Sequence, residues 1–220
     1  MRPYTLAATL ALFVLPLAAQ ADAPAPPAPE SAPSPGLGAS DPRVTRLLGA
    51  KDTLRWNYSP AGRNARYGHA EALVAAPADK VFKVAQDYSH YRELHRKFAT
   101  ARVVAKEGEN TDIYMRYPVK IGPVVFEFHE VMRFGSPRMN GPVRMLEANG
   151  IKGDMRQGHA VIAVEPVDAT HSLLVVDILL VPNVPAPQFL IDEELRDGAG
   201  DFVNGLKDRS QGFVGPVTAL

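Results

Sequence analysis

The sequence predicts an α+β domain: a seven-stranded antiparallel sheet, two short helices after the first strand, and a long C-terminal helix packed across the sheet. Three patterns carry this expectation. Residues 100–181 read as successive apolar, β-prone runs separated by turn-forming clusters. Two short helical segments, 79–87 and 88–97, follow the first of the strands. Last, Ile191, Leu195, Ala199, Phe202 and Leu206 recur at helical intervals, so they share one face of a helix within 185–211. That stripe needs a surface to cover it, and the strands before it supply one.

The chain opens with Arg2, an apolar run from Leu6 to Leu17, and Ala19-Gln20-Ala21. A basic start, a short apolar core and a small-x-small site predict a signal peptide over 1–21, and therefore a secreted or periplasmic protein. The run falls short of the roughly 20 residues that a membrane span needs, so no transmembrane segment is expected after cleavage. Residues 22–40 form an Ala/Pro-rich stretch with prolines at 24, 26, 27, 29, 33 and 35, expected to be a disordered spacer. Zero cysteines exclude disulfides, a thiol nucleophile and thiolate metal sites. With 24 Lys+Arg against 24 Asp+Glu, the chain has no long-range pull toward nucleic acid.

Between 41 and 65, Asp41-Pro42 is a capping residue followed by proline at a first helical position, with Val44, Leu47 and Leu48 on one face of a short helix. Trp56 and Tyr58 are expected in an irregular piece packed on the outside of the main domain. That domain is expected over 66–212, with a tail at 213–220. A strand over 66–74 ends at Ala76-Pro77. Six more follow, at 100–106, 112–119, 124–134, 143–148, 155–167 and 171–181. Asn149-Gly150 reads as a hairpin turn, since both residues tolerate positive φ. Short connections predict a meander.

On one parity of the sheet fall Ile113, Met115 and Tyr117, then Phe126, Phe128, Glu130, Met132 and Phe134. This set is rich in aromatic residues and methionine, and is expected to face the long helix. Met115, Tyr117, Phe126, Phe128 and Met132, with Leu195, Ala199 and Phe202 from the helix, are the candidate ligand-binding residues. The same pattern also fits a filled core. Asp177 interrupts the apolar run 173–180, where an unpaired buried carboxylate would be costly. Facing inward, it would join Glu130 as an acid–base pair; otherwise it points outward. These two are the only catalytic candidates.

His69, His129 and His159 fall on three different strands and are expected to satisfy local hydrogen bonds, with no metal site. Arg92, His95, Arg96, Lys97 and Arg102 read as a solvated helix face. No cofactor is expected: Gly36-x-Gly38 lacks the third glycine of a dinucleotide-binding turn, and no Gly-x-Ser-x-Gly elbow occurs. Gly198-Ala199-Gly200, inside the long helix, signals either room for a pocket, a bend, or close packing on the sheet.

Val74-Ala75-Ala76-Pro77-Ala78-Asp79-Lys80-Val81-Phe82, then Asp87-Tyr88 and Tyr91, resembles the opening of the polyketide cyclase / coenzyme Q-binding branch of the START-like (SRPBCC) superfamily. Leu179-Leu180-Val181-Pro182 with Val184-Pro185, leading into the long helix, resembles its close. The resemblance spans residues 66–211 and implies the helix-grip fold. It also implies a hydrophobic small molecule, lipid or isoprenoid-like, held between sheet and C-terminal helix without a cofactor. A cyclase/aromatase-type enzyme using the same cavity, or a ligand-free interaction domain, stays open as an alternative. Gly153-Asp154-Met155-Arg156 departs from the pattern, lacking the large aromatic that many relatives carry there.

Overall fold

The structure is a computed structural model that describes residues 36–62, 65–121 and 124–212. The expected signal peptide, the spacer up to residue 35 and the tail 213–220 lie outside the described residues. In order, the elements are α1 (Pro42–Gly49), β1 (Leu54–Tyr58), β2 (Tyr67–Val74), α2 (Ala78–Ala85), a 3-10 turn (Tyr88–His90) running into α3 (Tyr91–Leu94), β3 (Thr100–Glu107), β4 (Asn110–Ile121), β5 (Val124–Phe134), β6 (Arg138–Asn140), β7 (Val143–Gly153), β8 (Met155–Pro166), β9 (Ser172–Pro182) and α4 (Gln188–Gln211). The strands form one antiparallel sheet in the order β1-β2-β9-β8-β7-β5-β4-β3, with β6 paired to β7. It is the expected helix-grip arrangement, with nine strands among the described residues rather than seven.

The two extra strands are β1 and β6. Leu54–Tyr58 is not irregular: Trp56 pairs with His69 and Tyr58 with Tyr67, so β1 covers the free edge of β2. A five-residue strand before Pro60 has little local signal, and its ladder partner decides it. The three-residue β6 lies in the loop expected between β5 and β7. Asn149-Gly150 is also not a turn. β7 runs through it to Gly153, and the chain reverses at Asp154. Glycine at 150 answers a crowding across the sheet, described below. At the end of the spacer, Leu37 and Gly38 donate their amides to Pro166 and Val167 carbonyls, so residues 36–38 are docked.

The inner face of the sheet packs against α2, α3 and α4 through Ala70, Val74, Val81, Tyr91, Leu94, Ile113, Phe134, Ile162, Leu174 and Leu206. A second, smaller cluster sits on the outer face, where Val44 and Leu47 of α1 meet Val167 and Leu173. The start of β9 is therefore covered on both sides, which explains why 173–176 is wholly apolar. α1 begins as expected: the Asp41 side chain accepts from the Arg43 amide at 2.8 Å, with Pro42 at N1.

α4 is placed by two close approaches. A side chain at Gly68 of β2 would overlap the Leu195 carbonyl, and one at Gly205 would overlap the Leu94 carbonyl. Glycine at both sites lets backbone meet backbone. The helix ends at Gly212, in the left-handed conformation with φ of 89°, whose amide bonds back to the Arg209 carbonyl.

Candidate functional site

The strands β4 and β5 alternate strictly. Tyr114, Arg116, Glu127 and His129 bond to one another on the outer face, leaving Met115, Tyr117, Phe128, Glu130 and Met132 to point inward. Opposite them, the first half of α4 offers Leu190, Ile191, Glu194, Leu195, Gly198 and Phe202. Between the two lies a cavity of about 150 Å³, walled further by Ile162, Val176 and Ile178 of the sheet and by Tyr91, His95 and Phe98. Its surface is almost entirely hydrocarbon and aromatic.

Six of the eight candidate ligand-binding residues line this space: Met115, Tyr117, Phe128, Met132, Leu195 and Phe202. Two do not. Phe126 shares their parity but sits near the solvent end of the β4–β5 hairpin, 37% exposed, with its ring 6.3 Å from that of Phe128. Ala199 is buried in the packed core, one helical position round from the cavity. Gly198 faces the space instead, where an added Cβ would meet His95 Nε2 at 3.5 Å. Of the two glycines in the Gly198-Ala199-Gly200 run, Gly198 makes room, whereas Gly200 packs against the sheet, where an added Cβ would lie 3.0 Å from Arg55 Cδ of β1.

The two catalytic candidates separate. Glu130 faces the cavity, 2% exposed. Asp177 points to the outer face, where Oδ1 meets His69 Nδ1 at 2.8 Å. No Asp177–Glu130 acid–base pair exists. The parity of β9 settles it, since Val176 and Ile178 on either side line the cavity. On the outer face, Glu71 approaches His69 Nε2 at 3.8 Å, and Arg46 of α1 pairs with Glu71. Trp56 covers the imidazole with ring centroids 4.1 Å apart. Burial alone would depress the His69 pKa, but the bonds to Asp177 and Glu71 outweigh it and raise it to about 9. The other two strand histidines are likewise bonded locally, His129 to Tyr114 and His159 to Tyr67 and Glu147.

Few polar groups enter the cavity. Glu130 accepts one backbone bond, from the Met155 amide at 3.3 Å. Burial pushes its carboxyl up to about 7 against that bond, and the nearby Asp154 charge adds to the rise. The carboxyl is seated on glycine: a side chain at Gly150 or Gly153 would overlap it, and a Cβ at Gly158 would lie 3.1 Å from Oε1. The Tyr117 hydroxyl is buried without a partner among the described residues. His95, expected on a solvated face, is 8% exposed in the cavity wall and stacks on Phe98. Burial depresses its pKa to about 4, overcoming the pull of Asp201, with Lys97 and Arg96 adding to the fall. Its basic neighbours are engaged as well: Arg96 holds Asp201 at 2.9 Å and Lys97 holds Glu194 at 2.7 Å, both on α4. The sequence signal for this was there, in acids on the helix facing bases after α3, but nothing local pairs them.

No protein-family model matches the chain, and no curated protein matches its sequence. Solved structures do. The STAR-related lipid transfer protein of Xanthomonas axonopodis superposes with a TM-score of 0.61 at 15% identity, over 74% of this chain and 95% of that one. Human StAR-related lipid transfer protein 5 gives 0.57 at 10% identity, over 78% and 92%. The Zhui aromatase/cyclase from a Streptomyces species gives 0.50 at 14% identity, over 71% and 100%. The fold is START-like. Both a lipid-transfer protein and a cyclase stand among the similar structures, so the START-like fold leaves the activity to be argued from the cavity.

Proposed function

We propose that this START-like domain is a binding protein for a hydrophobic small molecule, held between the inner face of the sheet and α4. The observation that carries the reading is the cavity itself. Its walls bury apolar side chains around unfilled space instead of closing on one another, which a purely structural core avoids. About 150 Å³ matches a cavity that admits benzene, so the space holds a ring or a short apolar chain, and its open side lets a larger guest extend past the wall. The similarity to proteins described as lipid transfer proteins and as an aromatase/cyclase supports an apolar guest. With Asp177 on the outer face, the Asp177–Glu130 acid–base pair is absent from this cavity, and Glu194, the other carboxylate in its wall, is held by Lys97, so a carrier is the better reading. We place its action outside the cytoplasm, on the signal-peptide pattern of residues 1–21; a mature protein beginning at Asp22 is the expected result of N-terminal sequencing.

Gly198→Leu tests the binding reading directly. The leucine would project toward His95 into the cavity, while glycine-to-leucine in a helix interior gains roughly 0.5–1 kcal/mol of helix propensity. The expected result is an unchanged or raised melting temperature, with loss of binding to the neutral fluorophore N-phenylnaphthylamine. Equal binding by the wild type and a folded Gly198→Leu variant would sink the proposal.

A further inference from the structure

We propose that the cavity selects a neutral apolar ligand bearing an acceptor oxygen, a carbonyl, over a carboxylate, an amine or a bare hydrocarbon, with Tyr117 and Glu130 as its donors. This rests on the binding reading above and adds the chemistry of the ligand's polar end.

Tyr117 and Glu130 occupy neighbouring positions of one wall. Tyr117 pairs with Phe128 across β4 and β5, and Glu130 is the next inward residue on β5. The Tyr117 hydroxyl has no partner among the described residues, although buried hydroxyls are ordinarily bonded. Among the described residues Glu130 has a single backbone donor on Oε2, and no cation contributes to its environment. Its Oε1 lies against Gly150 and Gly158, which bring backbone but no side-chain donor. A carboxyl in this setting is protonated through the acidic range up to about pH 7, and then it donates. A third donor faces the same space. His95 Nδ1 accepts from the Lys97 amide at 3.1 Å, so the neutral ring carries its proton on Nε2, the atom beside Gly198.

The remaining groups around Glu130 decide the charge of the guest. The Tyr91 hydroxyl is spent on the Ala85 carbonyl at 2.6 Å. Lys97 is paired with Glu194. Asp154 and Glu194 add negative potential at Tyr117 and Glu130. Donors outnumber acceptors, and no free cation lines the wall among the described residues. A carboxylate guest meets repulsion, an ammonium guest must shed its water into an apolar wall whose carboxylates are paired with Lys97 or protonated, and a carbonyl meets two hydroxyl protons.

The test uses 2-nonanone, nonane, nonanoate and nonylamine as competitors of N-phenylnaphthylamine at pH 6. The expected result is 2-nonanone binding about ten-fold tighter than the other three, a difference in line with one or two net hydrogen bonds. Tyr117→Phe should erase most of the margin of 2-nonanone over nonane. Glu130→Gln, which keeps an N–H donor, should retain the margin and abolish the loss of 2-nonanone affinity seen in the wild type above about pH 7. Equal binding of 2-nonanone and nonane overturns this proposal and leaves the apolar carrier standing. A preference for nonanoate or nonylamine overturns it too, as does an unaltered margin in Tyr117→Phe. Failure of all four to compete overturns the carrier reading and this one with it.

Discussion

Lys97 Nζ lies 2.7 Å from Glu194 Oε2, joining the turn after α3 to the helix that roofs the cavity. Both side chains are about one-third exposed, so water screens the pair and its worth to folding is small, below about 1 kcal/mol. Its position gives it a different weight, because both residues line the cavity. Lys97→Ala is expected to shift the melting temperature little and to speed release of N-phenylnaphthylamine several-fold in stopped flow. Added salt should speed release in the wild type and not in the variant. Identical release rates would remove the pair from any part in ligand exchange.

Glu130 and the glycines beneath it form one packed unit. Gly150→Ala forces a methyl into the space of the carboxyl and should destabilise the domain by about 1–3 kcal/mol, the usual scale for overpacking. Adding Glu130→Ala should recover most of that loss, since the obstacle is gone. A double-mutant cycle in urea measures the coupling, and strict additivity would show that the methyl clashes with something else.

The same carboxyl makes stability depend on pH. Its pKa is raised from 4.5 unfolded to about 7 folded, so the folded state holds the proton more tightly. The benefit is present in full below the unfolded pKa and is lost as pH rises through about 7. Glu130→Gln should therefore match the wild type near pH 4 and exceed it near pH 8, by on the order of 3 kcal/mol at most. Parallel stability curves for the two proteins would refute the assignment.

His69 runs the other way round in chemistry and alike in sign. Its folded pKa of about 9 lies above the ordinary 6.5, so its pairing with Asp177 and Glu71 contributes fully below pH 6.5 and fades as pH rises through 9. Trp56 is the only tryptophan and lies over this ring with its plane tilted by 36°, giving a direct readout. Its fluorescence should titrate with a midpoint near 9, and Asp177→Asn should move that midpoint toward neutrality. A midpoint unmoved by Asp177→Asn would mean that another group is being observed.

The inward and outward sets of β4 and β5 were legible because one face meets the helix and the other meets water, so Met115 and Tyr117 show a clean period of two. β9 hides its parity. α1 covers Leu173 on one side and α4 covers the cluster holding Leu174 on the other, and apolar residues on both faces leave no alternation to place Asp177. The burial of His95 is hidden for a related reason. Its segment is basic, but the acids that consume that charge, Glu194 and Asp201, lie 97 and 105 residues further on. At Asn149-Gly150 a strong local turn preference yielded to a tertiary demand, the volume of one carboxyl. Phe126 and Ala199 show the finer limit: parity and periodicity assign a face, whereas the edge of a cavity depends on how far a strand extends beyond its cover.

The backbone contacts at Gly68 and Gly205 bear on how a guest gets in. Each lets α4 rest directly on another segment's main chain, one contact near Leu195 and the other near the helix's far end at Leu94. A beam seated on two such supports cannot swing open as a lid without abandoning both. The Pro182–Leu190 end overhangs the first support, and Pro182, Ala186 and Leu190 already border the cavity. Among the described residues, the one way to the cavity that leaves both supports intact runs beneath that overhang, so a few loop residues, and not the roof, would have to yield.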